Sequence, residues 1–456
     1  MPNPTKEKTK HMALDKDFMW GVAASNYQIE GAESEGGRGE SIWDSKYTKG
    51  KITGDMNGKY ACDHYHRYKE DVALMKKLGI KHYRLAVSWP RILPNGTGEL
   101  NPIGVKFYQD LVDELLKAGI TPWVNLFHWD LPKKLYDKGG YQNPEISDWF
   151  AEFATRVVEM FGDKVSNYIL FNEPECVAED GHFLGNHAPF LKLSRKETFK
   201  VAHNLLLCLG KAEKAMRKTA KHKLSIGLVP CSTPALPLNP KDEKAAADYN
   251  FKPNGSFYDA CFFPDAVIKG EFSPEYKAWF EENDYHPSSE DMKIIKCQLD
   301  YFAINLYRGY YVESTPEGTK RLPIRPEDNM TAMNWIITPE AMHYVIKYYY
   351  ERYKLPIVIS ENGVATTDWK TLDGDIPDVM RIDYIKRHII EMKKAAEIYP
   401  VKGYFYWSFM DNFEWQFGYS KRFGLVYVDY ATMERTPKKS AYWYKKVIES
   451  NGEDLD

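Results

Sequence analysis

Short apolar runs alternate with longer amphipathic stretches along the whole chain, and this alternation constrains the fold more than any other feature. The strand candidates are Phe18–Ala24, His82–Ser88, Pro122–His128, Val165–Asn172, Leu224–Pro230, Tyr301–Tyr307, Ile357–Glu361 and Val401–Ser408. Each is rich in β-branched or aromatic residues. Between them apolar residues recur at helical spacing over Asp63–Leu78, Val105–Ala118, Ile146–Phe161, Thr198–Thr219, Pro339–Tyr353 and Val379–Ile398. In the first of these, Tyr65, Tyr68, Val72, Met75 and Leu78 form one stripe. Gly79 and Gly119 follow the last turn of two of them, the usual stop signal. Parallel neighbours need a crossover, so strands separated by helices predict a parallel sheet.

A doubly wound open sheet and a closed barrel both satisfy that rule. The first strand is not followed by G-x-G-x-x-G; the glycine-rich piece there is Gly36-Gly37-Arg38-Gly39. Eight units in 456 residues predict the α/β class and a (β/α)8 TIM barrel. Long βα loops are expected near 30–60, 174–195, 231–298 and 310–336. No linker composition divides the chain, so residues 13–456 are expected to form a single domain. Residues 1–12 are set apart as an N-terminal extension, because His11-Met12 reads as a tag or cloning scar.

Composition narrows the function. Lys plus Arg number 61 and Asp plus Glu 64, a net charge of −3, which excludes a polyanion footprint and with it nucleic acid as the main partner. Aromatic residues make up 14%. That surplus implies a heavily packed core, a ring-lined ligand cleft, or both. Cys62, Cys176, Cys208, Cys231, Cys261 and Cys297 are dispersed and contain no C-x-x-C pair, so reduced, mostly buried thiols are expected rather than a disulfide framework or a zinc site. The N-terminus has no apolar signal region, and no apolar run reaches the roughly 18 residues of a spanning helix. A cytoplasmic protein with no membrane partner is expected. Oligomeric state is not readable.

In such a barrel chemistry occurs at the C-terminal ends of the strands. Those ends, in order, carry Gln28, Arg84, His128-Trp129-Asp130, Asn172-Glu173-Pro174, Asn305-Leu306-Tyr307, Glu361-Asn362-Gly363 and, on the eighth, Trp407, with Asp411, Glu414 and Trp415 beyond it. Strand ends turn polar wherever they meet water, but that does not account for two glutamates each closing an apolar run. The fourth and seventh strands are expected on opposite sides of the ring, so Glu173 and Glu361 would face each other across the mouth. Two facing carboxyls are the minimum equipment for cleaving a glycosidic bond. Aromatic platforms suit the apolar C–H face of a sugar. Gln28, His128, Asn172 and Glu414 offer partners for its hydroxyls.

The segments FMWGVAASNYQIEGA, RLAVSWPRILP, VNLFHWDLP, LFNEP, NLYRG, ISENG, YWSFMDNFEW and GYSKRFGLVYVD carry a close resemblance to glycoside hydrolase family one, from about Phe18 to about Tyr444. The resemblance implies a retaining, exo-acting β-glucosidase of carbohydrate metabolism that acts on small β-glucosides and cello-oligosaccharides, with β-galactosides or β-fucosides as further substrates. It implies no metal and no cofactor. Residue by residue it implies Glu173 as acid/base and Glu361 as nucleophile. It implies glycone contacts from Gln28, His128, Trp129, Asn172, Glu414 and Trp415, stacking on Trp407, and packing by Phe423 at the far end of the sugar. Trp335 resembles an aromatic position at the aglycone entrance. Arg84, Asn305 and Tyr307 are expected to orient the nucleophile.

Electrostatics then sets expectations. Arg84 should favour ionised Glu361, while burial and negative Glu361 should raise the pKa of Glu173. The sequence also departs from the family. Glu175 stands where Trp is common, a position expected on the aglycone side. Ser360 replaces the common Thr, and Asn26 replaces a small residue. Trp415 and Phe423 are of the neutral-sugar type, whereas Lys421 alone would suit a phosphate. His64 and His66 fall within a helix on different faces, which disfavours a metal pair. The charged stretches Lys192–Lys200 and Lys211–Lys223 read as the solvated face of a helix.

Overall fold

The computed structural model describes residues 13–456. Eight parallel strands form a closed ring: β1 (Met19–Ala23), β2 (His82–Ala86), β3 (Thr121–Asn125), β4 (Asn167–Asn172), β5 (Ser225–Val229), β6 (Tyr301–Leu306), β7 (Ile357–Asn362) and β8 (Val401–Trp407). Neighbours pair in chain order, and the ring closes because β8 pairs with β1. The outer helices that follow these strands are α1 (His64–Lys77), α2 (Pro102–Lys117), α3 (Ile146–Phe161), α4 (Arg195–Thr219), α5 (Ser289–Ile295), α6 (Ala341–Tyr353), α7 (Val379–Ala396) and α8 (Lys439–Glu449). This is the (β/α)8 barrel expected from the alternation.

Several boundaries differ from the periodicity, and capping explains two of them. Helix α2 begins at Pro102, because the Asn101 side chain accepts from the backbone N–H of Ile103 and Pro needs no N–H partner in the first turn. Helix α4 begins at Arg195, where Ser194 and Glu197 form a reciprocal capping box. The strand ending in His128 stops at Asn125. The backbone turns out of the ladder by Trp129, whose φ is +79°.

The barrel interior is filled by large rings set against small residues. Trp123, Ile169, Tyr301, Val358 and Phe405 pack inside with Ala23 and Ala303. A Cβ on Gly227 would lie 2.2 Å from the Tyr301 ring, and one on Gly21 would lie 2.6 Å from Phe405. These two glycines therefore make room for the rings, at the cost of their own packing. This packed interior reaches Trp407 and Phe423, which also line the cavity.

The decorated loops lie where they were expected. The loop after β5 covers a second aromatic cluster, in which Phe199 of α4 packs against Phe257, Phe262, Trp279 and Tyr285. The loop after β6 forms a hairpin, Tyr310–Thr315 with Gly318–Arg321, whose first strand also pairs with Ala235–Pro237. The aromatic surplus therefore serves both a packed core and, as described below, a ring-lined cavity. His64 is buried against Asp71, whereas His66 is exposed beside Asp63 and Glu35, so the two face different surroundings. No helix among the described residues is long and apolar enough to cross a membrane.

Candidate functional site

A cavity of about 480 Å³ opens at the C-terminal face of the ring. This size falls within the roughly 300–1,000 Å³ typical of small-molecule sites. Glu173 and Glu361 both line it, with His128, Trp129, Asn172, Tyr307, Trp335, Trp407, Glu414, Trp415 and Phe423. The strand ends are brought together as the sequence suggested, with one correction. In ring order β4 and β7 are separated by β5 and β6, three steps rather than four, so the two glutamates are not diametrically opposed.

Glu361 ends the apolar run Ile-Val-Ile-Ser and is almost fully buried. The Arg84 guanidinium makes an ion pair with its Oε1, and the Tyr307 hydroxyl donates to its Oε2 at 2.5 Å. A buried carboxylate needs such partners to offset its desolvation. Arg84 also donates to Asn172 Oδ1 at 2.5 Å, so β2, β4 and β7 share one guanidinium.

Glu173 is held differently. Its backbone adopts the left-handed region, φ +47°, just as the chain leaves β4 for a short helical turn beginning at Pro174. Such a conformation costs energy in a residue with a Cβ and persists only where packing over-determines it. Trp129 and Trp415 adopt it too, so three of the cavity residues are strained in the same way. Asn305 Nδ2 donates to Glu173 Oε1 at 2.8 Å and Cys176 Sγ donates to Oε2 at 3.2 Å. Among the described residues no cation pairs with it directly. Burial first, and then the nearby charge of Glu361, push its pKa up to about 7.

Asn305 is a correction to the sequence reading. It was expected to orient Glu361, but its amide serves Glu173 and Asn172, and its oxygen accepts from Ser360 Oγ at 2.7 Å. Gln28 sits behind the cavity wall, next to Glu414. Its side chain is fully buried and does not line the cavity. Its amide nitrogen donates to Asn412 Oδ1, Phe413 O and Glu414 Oε2, and its oxygen accepts from Ser25. Gln28 therefore props Glu414 from behind. Glu414 itself faces the cavity with its pKa raised to about 8, first by burial and then by Glu361.

The aromatic wall is continuous. His128 stacks between Trp407 (5.7 Å, 20°) and Trp415 (5.9 Å, 14°). Burial, and then Arg84, drive the His128 pKa well below its usual value, so the ring is neutral. A neutral imidazole has one N–H and one acceptor. The Asn172 amide nitrogen lies 3.2 Å from Nε2, and the Asn125 amide lies 3.3 Å from Nδ1. The Trp129 indole N–H is committed to the Asn172 carbonyl at 2.8 Å, which leaves its ring rather than its donor at the cavity wall. On the far side, Tyr307, Trp335 and Phe423 form a second group of rings, with centroids 5.2–6.2 Å apart.

Sequence reasoning missed part of the wall. Cys176 and Cys231 both line the cavity, although they are remote in sequence. Cys176 was reachable, since it lies three residues beyond Glu173 on a helical turn; Cys231 was not. His187 bonds Gln416 at 2.6 Å and contributes a further ring beside Trp415. Arg308 and Arg321 line the outer part. Glu175, expected on the aglycone side, is fully buried and absent from the cavity lining. Its Oε2 accepts weakly from the Cys231 backbone at 3.4 Å, and its Oε1 has no partner. Burial raises its pKa well above the carboxylate range. Asn26, the other polar departure, is buried and donates to Asp130 at 2.6 Å.

A barrel with two buried carboxyls in unlike settings, surrounded by ring faces and amides, defines a glycoside hydrolase. Residues 10–453 match the family model described as glycosyl hydrolase family 1. The chain belongs to that family. It is 43% identical over 441 residues to β-glucosidase A of Thermotoga maritima, covering 95% of this chain and 97% of that one. It is 41% identical over 451 residues to β-glucosidase A of Acetivibrio thermocellus, covering 97% and 99%. Its fold overlays the solved structure of the Thermotoga maritima β-glucosidase in complex with glucoimidazole, with a TM-score of 0.89, 42% identity and coverage of 96% of this chain and 99% of that one.

Proposed function

We propose that the protein is an exo-acting, retaining β-glucosidase that releases non-reducing terminal β-D-glucose from β-glucosides and cello-oligosaccharides. The observation that carries this reading is the unlike setting of two carboxyls on one cavity. Arg84 and Tyr307 grip Glu361, whereas Glu173 has no paired cation among the described residues and a pKa of about 7. An ionised Glu361 attacks the anomeric carbon while protonated Glu173 donates to the departing oxygen. The Glu361 charge disappears when the ester forms, and with it the repulsion that holds the proton on Glu173. Glu173 then takes a proton from the incoming water, and the water displaces Glu361. Two inversions give net retention, which requires carboxyl groups about 5–5.5 Å apart.

The glycone lies against Trp407, with His128, Asn172, Glu414 and Trp415 as its hydroxyl partners. The same groups can serve sugars that differ at one carbon, so β-galactosides and β-fucosides are further substrates. A neutral sugar is favoured because Trp415 and Phe423 both line the cavity, while Lys421 does not and spends its ammonium on the Ala332 carbonyl at 2.6 Å.

The test is a parallel assay of aryl β-glucoside, β-galactoside, β-fucoside and 6-phospho-β-glucoside, with Glu361→Ala as the blank. Neutral glycosides should turn over in the native enzyme and fail in the blank. Azide should restore part of the activity in Glu361→Ala and give the inverted glycosyl azide. Turnover of the phosphorylated sugar alone would overturn the neutral-sugar reading.

A further inference from the structure

The outer end of the cavity carries two arginines that no carboxylate answers. Arg308 follows Tyr307 directly at the end of β6, and Arg321 ends the second strand of the hairpin in the next loop. Both line the same cavity as Glu173 and Glu361. Neither guanidinium makes a hydrogen bond or an ion pair among the described residues. Each instead lies over a ring face. The Arg308 Cζ lies 5.3 Å from the Trp335 ring centroid, and the Arg321 Cζ lies 4.2 Å from that of Tyr310.

The two arginines differ in burial: Arg321 is exposed at the mouth, and the cost of standing without a counter-ion falls on Arg308. Arg308 is half-buried, and a guanidinium taken from water without a counter-ion is destabilising. Burial, and then the like charge of Arg321, lower its pKa below the usual arginine value. Elsewhere in the protein buried arginines are answered by carboxylates: Arg84 by Glu361, Arg91 by Glu30, Arg381 by Asp368 and Asp378. The one acidic group on the outer wall, Asp180, is already engaged by the Tyr258 hydroxyl and the Asn186 amide. Two planar cations on aromatic faces present free N–H forks, the geometry that binds a carboxylate.

We propose that Arg308 and Arg321 form an anion-binding aglycone subsite that selects β-glucosides whose aglycone carries a carboxylate on an aromatic ring. Trp335 and Met333 would flank the ring, and the carboxylate would replace the missing counter-ion. The assignment rests on the β-glucosidase reading above and adds the class of leaving group. Trp335 was already the aromatic candidate at the aglycone entrance. The arginines turn that entrance from a neutral platform into a charge-selective one.

The test compares 4-carboxyphenyl with 4-carbamoylphenyl β-D-glucoside, two aglycones of similar shape that differ in charge. The quantity read is the ratio of their kcat/KM values, for the full chain and for Arg308→Gln, Arg321→Gln and the double variant. The ratio should fall about tenfold or more in the double variant, the size expected for losing charge-assisted hydrogen bonds. Arg308→Lys should keep part of the preference, and added salt should erode it in the native enzyme. An unchanged ratio across the variants, with both glucosides turned over, would overturn the anion subsite and leave the β-glucosidase reading standing. Failure of the native enzyme on both glucosides would overturn the two together. If the variants lost turnover of a 6-phosphoglucoside while the carboxylate ratio held, the arginines would serve the glycone, and the proposal would fall.

Discussion

The inner end of the cavity and its mouth are built on different principles. At the inner end, Arg84 is shared by Glu361 and Asn172, Asn305 ties Glu173 to Asn172, and Gln28 braces Glu414 from behind. Side chains from β2, β4, β6 and β7 interlock there, on the most regular part of the fold. At the mouth, Arg308 and Arg321 stand without counter-ions, on or beside the hairpin loop. The contrast shows how the work is divided. On the proposed reading, a network of mutual hydrogen bonds fixes the reacting groups, while loop residues with unmet needs leave room for a ligand to supply what is missing.

The largest effect should come from breaking the inner end at Glu173. Glu173→Ala should lose roughly 10²–10⁴ in kcat/KM on glycosides with poor leaving groups and far less on those with good ones. Equal loss across the series would remove Glu173 from the acid/base role. Its pKa of about 7 also fixes the sign of the alkaline limb. The proton is present below that pH and lost above it, so kcat/KM of the native enzyme should fall as pH rises through about 7.

Tyr307→Phe comes next. Removing a hydrogen bond to a charged group costs about 1.5–3 kcal/mol, so kcat/KM should drop roughly ten- to hundredfold while the melting temperature stays close to native. A drop confined to KM would mean that Tyr307 serves binding and not Glu361.

Glu175 sharpens the comparison, because it lies behind the wall and belongs to neither end. Its folded-state pKa is raised above the unfolded value, so the folded protein holds a proton that the unfolded chain releases. Its contribution to stability therefore falls as pH rises above the unfolded carboxylate pKa, about 4.3. Glu175→Gln should stabilise the fold by about 1–3 kcal/mol near pH 8, the usual penalty for an unsatisfied buried group, and by much less near pH 4. Denaturant melts at the two pH values check this. A gain equal at both would show that the carboxyl does not titrate as described.

The smallest effect belongs to the mouth. Trp335→Ala should raise KM for aryl glucosides two- to tenfold, about 0.5–1.5 kcal/mol of ring contact, and leave kcat nearly unchanged. A collapse of kcat would place Trp335 with the inner group through its contact with Tyr307.

The sequence carried the inner end well because each residue there is anchored at a strand end, and strands announce themselves by apolar runs. Glu173 and Glu361 closed two such runs, and the ring followed from the alternation. Finer assignments failed where they depended on what a side chain touches. Whether Asn305 turns toward Glu173 or Glu361 depends on a rotamer and on the Ser360 hydroxyl, not on spacing. Gln28 is expected at the sugar from its strand end and from the resemblance, whereas its bracing of Glu414 through Asn412 and Phe413 joins residues far apart along the chain. Glu175 is expected at the aglycone because the family resemblance assigns its position there, yet on the turn that starts at Pro174 its side chain is fully buried. The mouth was least legible. Arg308 and Arg321 are thirteen positions apart on a loop whose hairpin pairing no periodicity revealed.

The crowding of Glu173, Glu361 and Glu414 around one cavity has a consequence for heat. The negative charge of Glu361 raises the pKa of both other groups. On the proposed mechanism, the glycosyl ester removes that charge, and both neighbours become stronger acids at once. A glycosyl fluoride needs no proton for its departing anion near neutral pH. Trapping the enzyme with a slow fluoride should therefore release protons into the buffer. The apparent enthalpy of trapping should change between two buffers with different heats of ionisation, and the slope would count the protons expelled.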